Sequence, residues 1–555
     1  MMAVAAAVIY HETRETTLRV DEWVWALQRR GDGLGTFLEP HNGHFSLVPL
    51  VLYKGLFATV GIEDFAPYRV MIILAHLLCT GLLYVYASRR IGAVAALLPA
   101  ALLLTFGPGW HDILWPFQVA WLISLAAGLG ALLALDGRRD AVACALVAVA
   151  LASSGLGIAI AIGLLVERLL HRRDWRDAWV VAGPLAVYGV WWLVYQDTDF
   201  WRHNVVVAPR FAADAASGAL AAIAGLTEPR YDTNGLIVDG GSALSWGRPL
   251  AVAAALVLIW RLAALRPVAV RVPALLAMAA AFWLLTGLQR SQISPPDASR
   301  YLYVGALLIL LLGVELARGI RLRPTAVALL ACAAGLAIVS NLGVLRAGAR
   351  FLRAESPVAK ADLGAIELAR AGVPRGYSAT RFPGIPFVTI DAEEYFAGAR
   401  DYGSPAYTAA EIAAAPESAR LAADSELVTI HRLAVRAGAA ATGAPAPRVD
   451  AVAEGTVRVR GGCVHFRPAG ARAAGTTAEL QVTVPPGGLL LRASGAPATV
   501  AVRRFAITFP RDPLAWLAPE GSGTLRPDRD RATRPWHVRL ISEAGVSACT
   551  LRATG

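Results

Sequence analysis

The sequence predicts an α-helical polytopic membrane protein with a C-terminal extracytoplasmic α+β region that ends in an antiparallel β-sandwich. Three observations predict it. Of the 555 residues 56% are hydrophobic and mean hydropathy is +0.51, too apolar for a soluble chain of this length. Apolar runs close to the roughly 20 residues that cross a bilayer recur up to about residue 345. Beyond it, short segments alternate apolar and polar residues between Gly and Pro turns.

Taken in order, Met1–Tyr10 is apolar but too short to span. It reads as an interfacial segment or, preferably, as part of a first membrane helix. Spanning runs follow at 67–87, 91–107, 117–135, 178–196, 248–265, 272–288, 301–317 and 325–342. The run 141–170 is interrupted by Ser153-Ser154-Gly155 and has basic residues on both flanks. It therefore reads as two short helices that cross and return, bringing the total to about 10–11 membrane helices.

Arginine then sets orientation. It concentrates at Arg89-Arg90, Arg138-Arg139, Arg172-Arg173, Arg261-Arg266-Arg271 and Arg318-Arg321-Arg323, alternating with Arg-poor loops. The Arg-rich loops belong in the cytoplasm, which puts 11–66, 107–116, 197–247, 289–300 and everything after 343 outside. The net charge of +11 is almost all arginine, with Lys54 and Lys360 the only lysines. This follows coding bias and is no sign of nucleic-acid binding.

The resulting organisation is a membrane domain over 1–345 with first outer loop 11–66, a helical and mixed connector over 346–447, and a sandwich over 448–555. In the first loop Asp21 is placed to cap a helix Glu22–Arg30, and Ser46 a second helix 47–60 beyond an Asn42-Gly43 turn. Helical patterns also fall at about 211–226 and 357–371. Cys79, Cys144 and Cys332 lie in apolar runs. Cys463 and Cys549 lie in the polar C-terminal part, where an extracytoplasmic pair favours a disulfide joining an early strand to the last one.

Polar residues of the outer loops are the candidates for chemistry. Asp21 and Glu22 read either as a helix cap with a first-turn acid or as a catalytic pair, Asp21 being the better general base. His41 and His44 read as interfacial histidines or as donors to a phosphate or sugar hydroxyl. His111 and Asp112 sit in a short outer loop, Asp112 as a second acid. Arg290, Arg300 and Tyr301 bracket the loop 289–300. Arginines there run against the positive-inside trend, and a lipid phosphate explains them, with Asp297 as the bland partner for Arg300. Arg202, beside His203, Asp197 and Asp199, is a weaker candidate. Phe466, Trp516 and Trp536 in the sandwich read as core or as platforms for sugar rings. No nucleotide-binding loop is present, which argues against an ATP-driven pump.

Val-Asp-Glu-Trp at 20–23, His-Asp at 111–112 and Ser-Arg-Tyr at 299–301, set in this topology, resemble the C-type (GT-C) membrane glycosyltransferases. The resemblance covers about residues 1–345. It implies a sugar donor on a polyprenyl phosphate, Asp21 as the base that activates the acceptor hydroxyl, Asp112 as a second acid or metal ligand, and Arg300 as a phosphate contact. The implied reaction transfers a hexosyl or pentosyl group to a cell-envelope glycan or lipid acceptor on the outer face of the plasma membrane. No cofactor is required by the residues, and a divalent metal (Mg or Mn) is compatible with them. The rival readings are a non-catalytic envelope protein with a glycan- or protein-binding outer module, and a lipid or polymer transporter.

Overall fold

The computed structural model of the chain describes all residues except 173–174, 196–200, 234, 265–268, 321–322, 380–388, 439, 471–477 and 553–555. The expectations placed on Arg173, Asp197, Asp199, Arg266 and Arg321 lie outside the described residues. The chain divides into two compact units. Met1–Thr16 and Val24–Ala354 form the first; Thr17–Trp23 and Glu355–Gly555 form the second.

The first unit is helical. Its principal helices are α1 (Met2–Glu12), α2 (Leu47–Val60), α3 (Ala66–Ile91), α4 (Ala93–Leu104), α5 (Val119–Asp136), α6 (Asp140–Leu151), α7 (Leu156–Arg172), α8 (Trp179–Tyr195), α9 (His203–Ile223), α10 (Leu244–Ala264), α11 (Arg271–Arg290), α12 (Ser299–Leu316) and α13 (Pro324–Leu368). Among the described residues seven helices are long and apolar enough to cross a membrane. They become eight when α4 is joined to the bent segment Gly107–Leu114. The protein is a multi-pass membrane protein.

Polar residues lock one end of these helices together. Arg90 at the end of α3 pairs with Glu315 of α12 and, at 3.0 Å, with Asp136 of α5. Arg271, opening α11, pairs with Asp136 at 2.7 Å and Glu167 of α7 at 2.8 Å. Tyr86 donates to Glu315 at 2.5 Å, and Arg261 of α10 donates to the carbonyl of Leu316 at 2.8 Å. An arginine fork satisfying two carboxylates is the arrangement that offsets the desolvation of buried charge.

The interrupted run 141–170 forms α6 and α7, two short helices that double back. Arg168 pairs with Asp140 at 3.2 Å where they start and finish. At the tip, Ser154 accepts from the amide of Leu156 at 3.3 Å, and the Ala152 carbonyl accepts from Val48 of α2 at 3.0 Å. The tip thus reaches the first outer loop, as the basic flanks require.

α9 is longer than the expected 211–226, and its composition would suit a span. Its contacts show a different course. Near its start Asn204 donates at 2.7 Å to Leu288 near the end of α11. Phe211 in its middle lies 6.2 Å from the ring of Tyr301. Gly218 abuts Asp297, and Ala219 abuts Gly305, in and near the first turns of α12. Both ends of α9 therefore touch the same end of the bundle, and the helix runs across it.

Two boundaries differ from expectation. The helix expected over Glu22–Arg30 is a single turn, Asp21–Trp23, followed by a wide π-turn, Val24–Gln28, that buries Trp25 completely. The runs 325–342 and 357–371 are not separate, because α13 is one helix of 45 residues. Its Gly348 is no breaker: a Cβ there would meet Trp110 at 2.5 Å, so the glycine serves close packing.

Among the described residues the second unit holds two large antiparallel sheets and a small two-stranded one, Ser378–Ala379 with Ile390–Asp391. A six-stranded sheet runs in the spatial order Val435–Ala437, Ser522–Leu525, Leu489–Ser494, Gly545–Thr550, Cys463–Pro468 and Gly455–Arg460. A five-stranded sheet runs Ala515–Leu517, Ala498–Arg503, His537–Ser542, Glu479–Thr483 and Val449–Ala453. Alternate residues such as Val464 and Phe466, or Val538 and Leu540, are buried, the period of two expected of a half-covered strand. Cys463 and Cys549 face each other in register and form the expected disulfide.

Candidate functional site

The site is built at the end of the first unit opposite the ion-pair network. α11 carries Arg271 at one end and Arg290 at the other, a helix of about 30 Å by its rise. α12 likewise runs from Arg300 to Glu315, α5 begins beside Gln118 and ends at Asp136, and α7 begins beside Gly155 and carries Glu167. The same helices thus present polar groups at both ends.

Asn42 and Gly43 have φ of +52° and +77°, the signature of a tight hairpin turn. The backbones of His41 and His44 exchange two hydrogen bonds of 2.9 Å across it, which sets both imidazoles on one face. His41 lies edge-on to Trp25 and Phe117, each 5.4 Å away. His44 is pressed onto Gly155 at the tip between α6 and α7, where a Cβ would come within 2.7 Å of its Nδ1. Arg290 reaches over from α11 and donates to His44 Nε2 at 3.1 Å and to the Asn42 carbonyl at 2.8 Å. Burial pushes the His44 imidazole down to about 3, with Arg290, His41 and Arg300 adding to the shift. His44 is therefore neutral at physiological pH, and the Arg290 bond makes Nε2 its acceptor.

Arg300 lies in the first turn of α12. It donates to Ser294 at 2.6 Å, its guanidinium stands 5.2 Å from the Tyr301 ring centre, and it is within electrostatic reach of both His44 and Asp112. Asp112 sits in the turn Trp110–Leu114 and is fully buried. Neither of its carboxylate oxygens has a side-chain partner among the described residues, and only its own amide is drawn to it. The Tyr301 hydroxyl is buried and unpartnered as well. The next residue to Asp112 is held firmly: the His111 amide donates to Ser299 at 3.2 Å, and Ser299 donates to the Pro108 carbonyl at 2.5 Å.

His41, His44, Arg290, Arg300, Tyr301, His111 and Asp112 are thus gathered in one region of the first unit. Arg202 is exposed at the head of α9. Asp297 is not the partner of Arg300. Arg230 takes it, with contacts of 3.0 and 3.1 Å, and binds Asp239 at 2.9 Å. Arg230 and Asp239 were missed because their role depends on a two-strand pairing, Arg230–Tyr231 with Ile237–Asp239, too short to read from periodicity.

Asp21 and Glu22 belong to the second unit. Their segment is fastened there by Arg19, paired with Glu355 at 2.9 Å, and by Thr17, whose amide donates to Ser356 at 3.2 Å. Trp23 lies 6.3 Å from Tyr395, edge to face. Glu22 is buried and its carboxylate accepts from the Arg19 amide at 2.7 Å, while Asp21 opens the turn and is half-buried. Of the three sandwich aromatics, Phe466 and Trp536 are core and only Trp516, on an edge strand, is exposed. Among the described residues no group of three or more His, Cys, Asp or Glu side chains is placed to hold a metal ion.

The fold and site together define a polytopic membrane protein whose bundle ends in a partly enclosed cationic and aromatic cluster around a buried carboxylate. Solved structures similar to it include two of one protein. The crystal structure of ArnT from Cupriavidus metallidurans bound to undecaprenyl phosphate shares 18% identity, covering 73% of this chain and 84% of that one with a TM-score of 0.40. The apo structure of the same protein shares 18% identity over 67% of this chain and 80% of that one, with a TM-score of 0.39. No family model and no curated protein matches the sequence.

Proposed function

We propose that this chain is a membrane glycosyltransferase that moves a sugar from a polyprenyl-phosphate donor to a cell-envelope glycan or lipid acceptor outside the plasma membrane. The observation that carries the reading is the Asp112 carboxylate. A buried carboxylate without a partner costs several kcal/mol. Here it is kept within electrostatic reach of Arg300, and a reacting hydroxyl would supply the partner it lacks. The positive-inside pattern supports the orientation, since Arg90, Arg139, Arg261 and Arg318 fall at the end away from Arg300. An enzyme outside the cytoplasm has no access to sugar nucleotides, so its donor is lipid-borne.

In the reaction, the acceptor hydroxyl loses its proton to a carboxylate as its oxygen bonds to the anomeric carbon. The bond from that carbon to the phosphate oxygen breaks, and the polyprenyl phosphate leaves with the electron pair. Arg300 and Arg290 offset the charge that gathers on the phosphate. Asp21 is the proposed base toward the acceptor, and Asp112 the second acid. The test is transfer of labelled sugar from native lipid donors in membranes, comparing wild type with Asp21→Asn. Loss of transfer at equal expression supports Asp21 as base. Equal transfer removes it, and no transfer by wild type with any hexosyl or pentosyl lipid donor overturns the function.

A further inference from the structure

Beside Arg300 lies a cleft of about 480 Å³ between α9 and the loop 291–296. Its size falls within the roughly 300–1,000 Å³ typical of small-molecule sites. Arg210, Phe211 and Asp214 line it from α9, and Gln292 and Ser294 line it from the loop. A guanidinium, a carboxylate, an amide and a hydroxyl around one aromatic ring are the groups that recognise a polyhydroxylated ring: hydrogen bonds fix its hydroxyls while its apolar face rests on Phe211.

Two features show that the cleft is built and tied to the phosphate site. Its walls are cross-linked, since Asn204 donates to Gln292 Oε1 at 2.7 Å, and Asp214 is fixed by Arg248 through contacts of 2.9 and 3.2 Å. Arg210, by contrast, meets Asp214 only at 3.8 Å and its side chain is 83% exposed, so most of its donors face outward. Ser294 belongs to both places: it lines the cleft and accepts from Arg300 at 2.6 Å. Arg300 is thus one hydrogen bond away from the wall of the cleft.

We propose that this cleft receives the glycosyl group of the lipid donor, with Arg210 and Phe211 as its specificity-determining contacts. The proposal rests on the reading of Arg300 as the phosphate site. The experiment is equilibrium binding of two probes to the full chain in lipid nanodiscs: bare polyprenyl phosphate, and a panel of polyprenyl-phosphate hexoses and pentoses. Arg210→Gln and Phe211→Ala are compared with wild type and with Arg300→Gln. The expected result is a loss of about ten- to hundredfold in affinity for the preferred sugar-bearing lipid in Arg210→Gln, with binding of bare polyprenyl phosphate unchanged. Arg300→Gln should weaken both probes. Wild-type affinity for the sugar-bearing lipid in both cleft variants overturns the proposal, as does equal loss of both probes. If wild type binds neither probe, the phosphate reading fails and the cleft assignment with it. Wild-type binding of bare polyprenyl phosphate with no preference for any sugar overturns the cleft assignment alone.

Discussion

The two ends of the membrane unit are made of the same kinds of residue and differ in how far they are satisfied. At one end Arg90, Arg271, Asp136, Glu167 and Glu315 pair across five helices, so buried charges meet opposite charges. At the other, Asp112 and the Tyr301 hydroxyl are buried with no side-chain partner among the described residues, close to Arg300 and a neutral His44. The first end is a clasp whose charged groups pair with one another, leaving only one oxygen of Glu167 among them buried without a hydrogen bond. The second holds hydrogen-bonding capacity in reserve, and reserve of that kind is stable only when rigid surroundings enforce it. The Asn42-Gly43 hairpin, the tip between α6 and α7 and the Ser299 bonds supply that rigidity.

The sharpest way to break this contrast is Asp112→Asn. It should lower transfer by about 10²–10⁴-fold, the usual worth of a positioned acid or base, with an unchanged or higher unfolding temperature, since a neutral amide is easier to bury. Transfer rate and thermal unfolding measured on one preparation decide it. Next is Glu315→Ala. Stripping a buried partner from Arg90 should cost about 3–5 kcal/mol of stability. It should leave turnover per folded molecule near wild type, read from unfolding midpoint and active-site-normalised rate.

A third outcome concerns pH. The folded His44 titrates near 3 against an ordinary 6.5, so folding favours its neutral form. Its contribution to stability is complete above about pH 6.5 and is lost as pH falls from there toward 3. Unfolding temperature against pH should therefore fall more steeply in wild type than in His44→Gln over that interval. The smallest effect is expected of Gly43→Ala. A side chain at φ +77° costs about 1 kcal/mol and loosens the His41–His44 pair. A modest drop in unfolding temperature, with weaker binding of bare polyprenyl phosphate, would show that the hairpin belongs to the reserve end.

The sequence carried much of this on its face. Apolar runs marked most of the spans, the Ser153-Ser154-Gly155 interruption marked the doubled helix pair, and Asn42-Gly43 marked the turn that aligns the histidines. Alternation after residue 448 marked the strands, and the two polar-region cysteines marked their disulfide. These are local signals: length against bilayer thickness, turn chemistry, and a period of two. Arg300 and Asp112 stood out because charge at such positions needs a reason.

What the sequence by itself determined is therefore which segments are apolar, where the chain turns, and which polar groups stand near the ends of the helices. Tertiary structure alone decided which of those groups meet. It laid α9 across the bundle end although its composition suits a span. It gave Asp297 to Arg230 and left Arg300 to Ser294, and it fastened Asp21 and Glu22 to the second unit through Arg19 and Thr17. It also carried α13 through Gly348 because Trp110 fills the space a side chain would take. The physical reason is the same each time. A hydrogen bond or ion pair depends on partners far apart in the chain, and local composition holds no record of their distance.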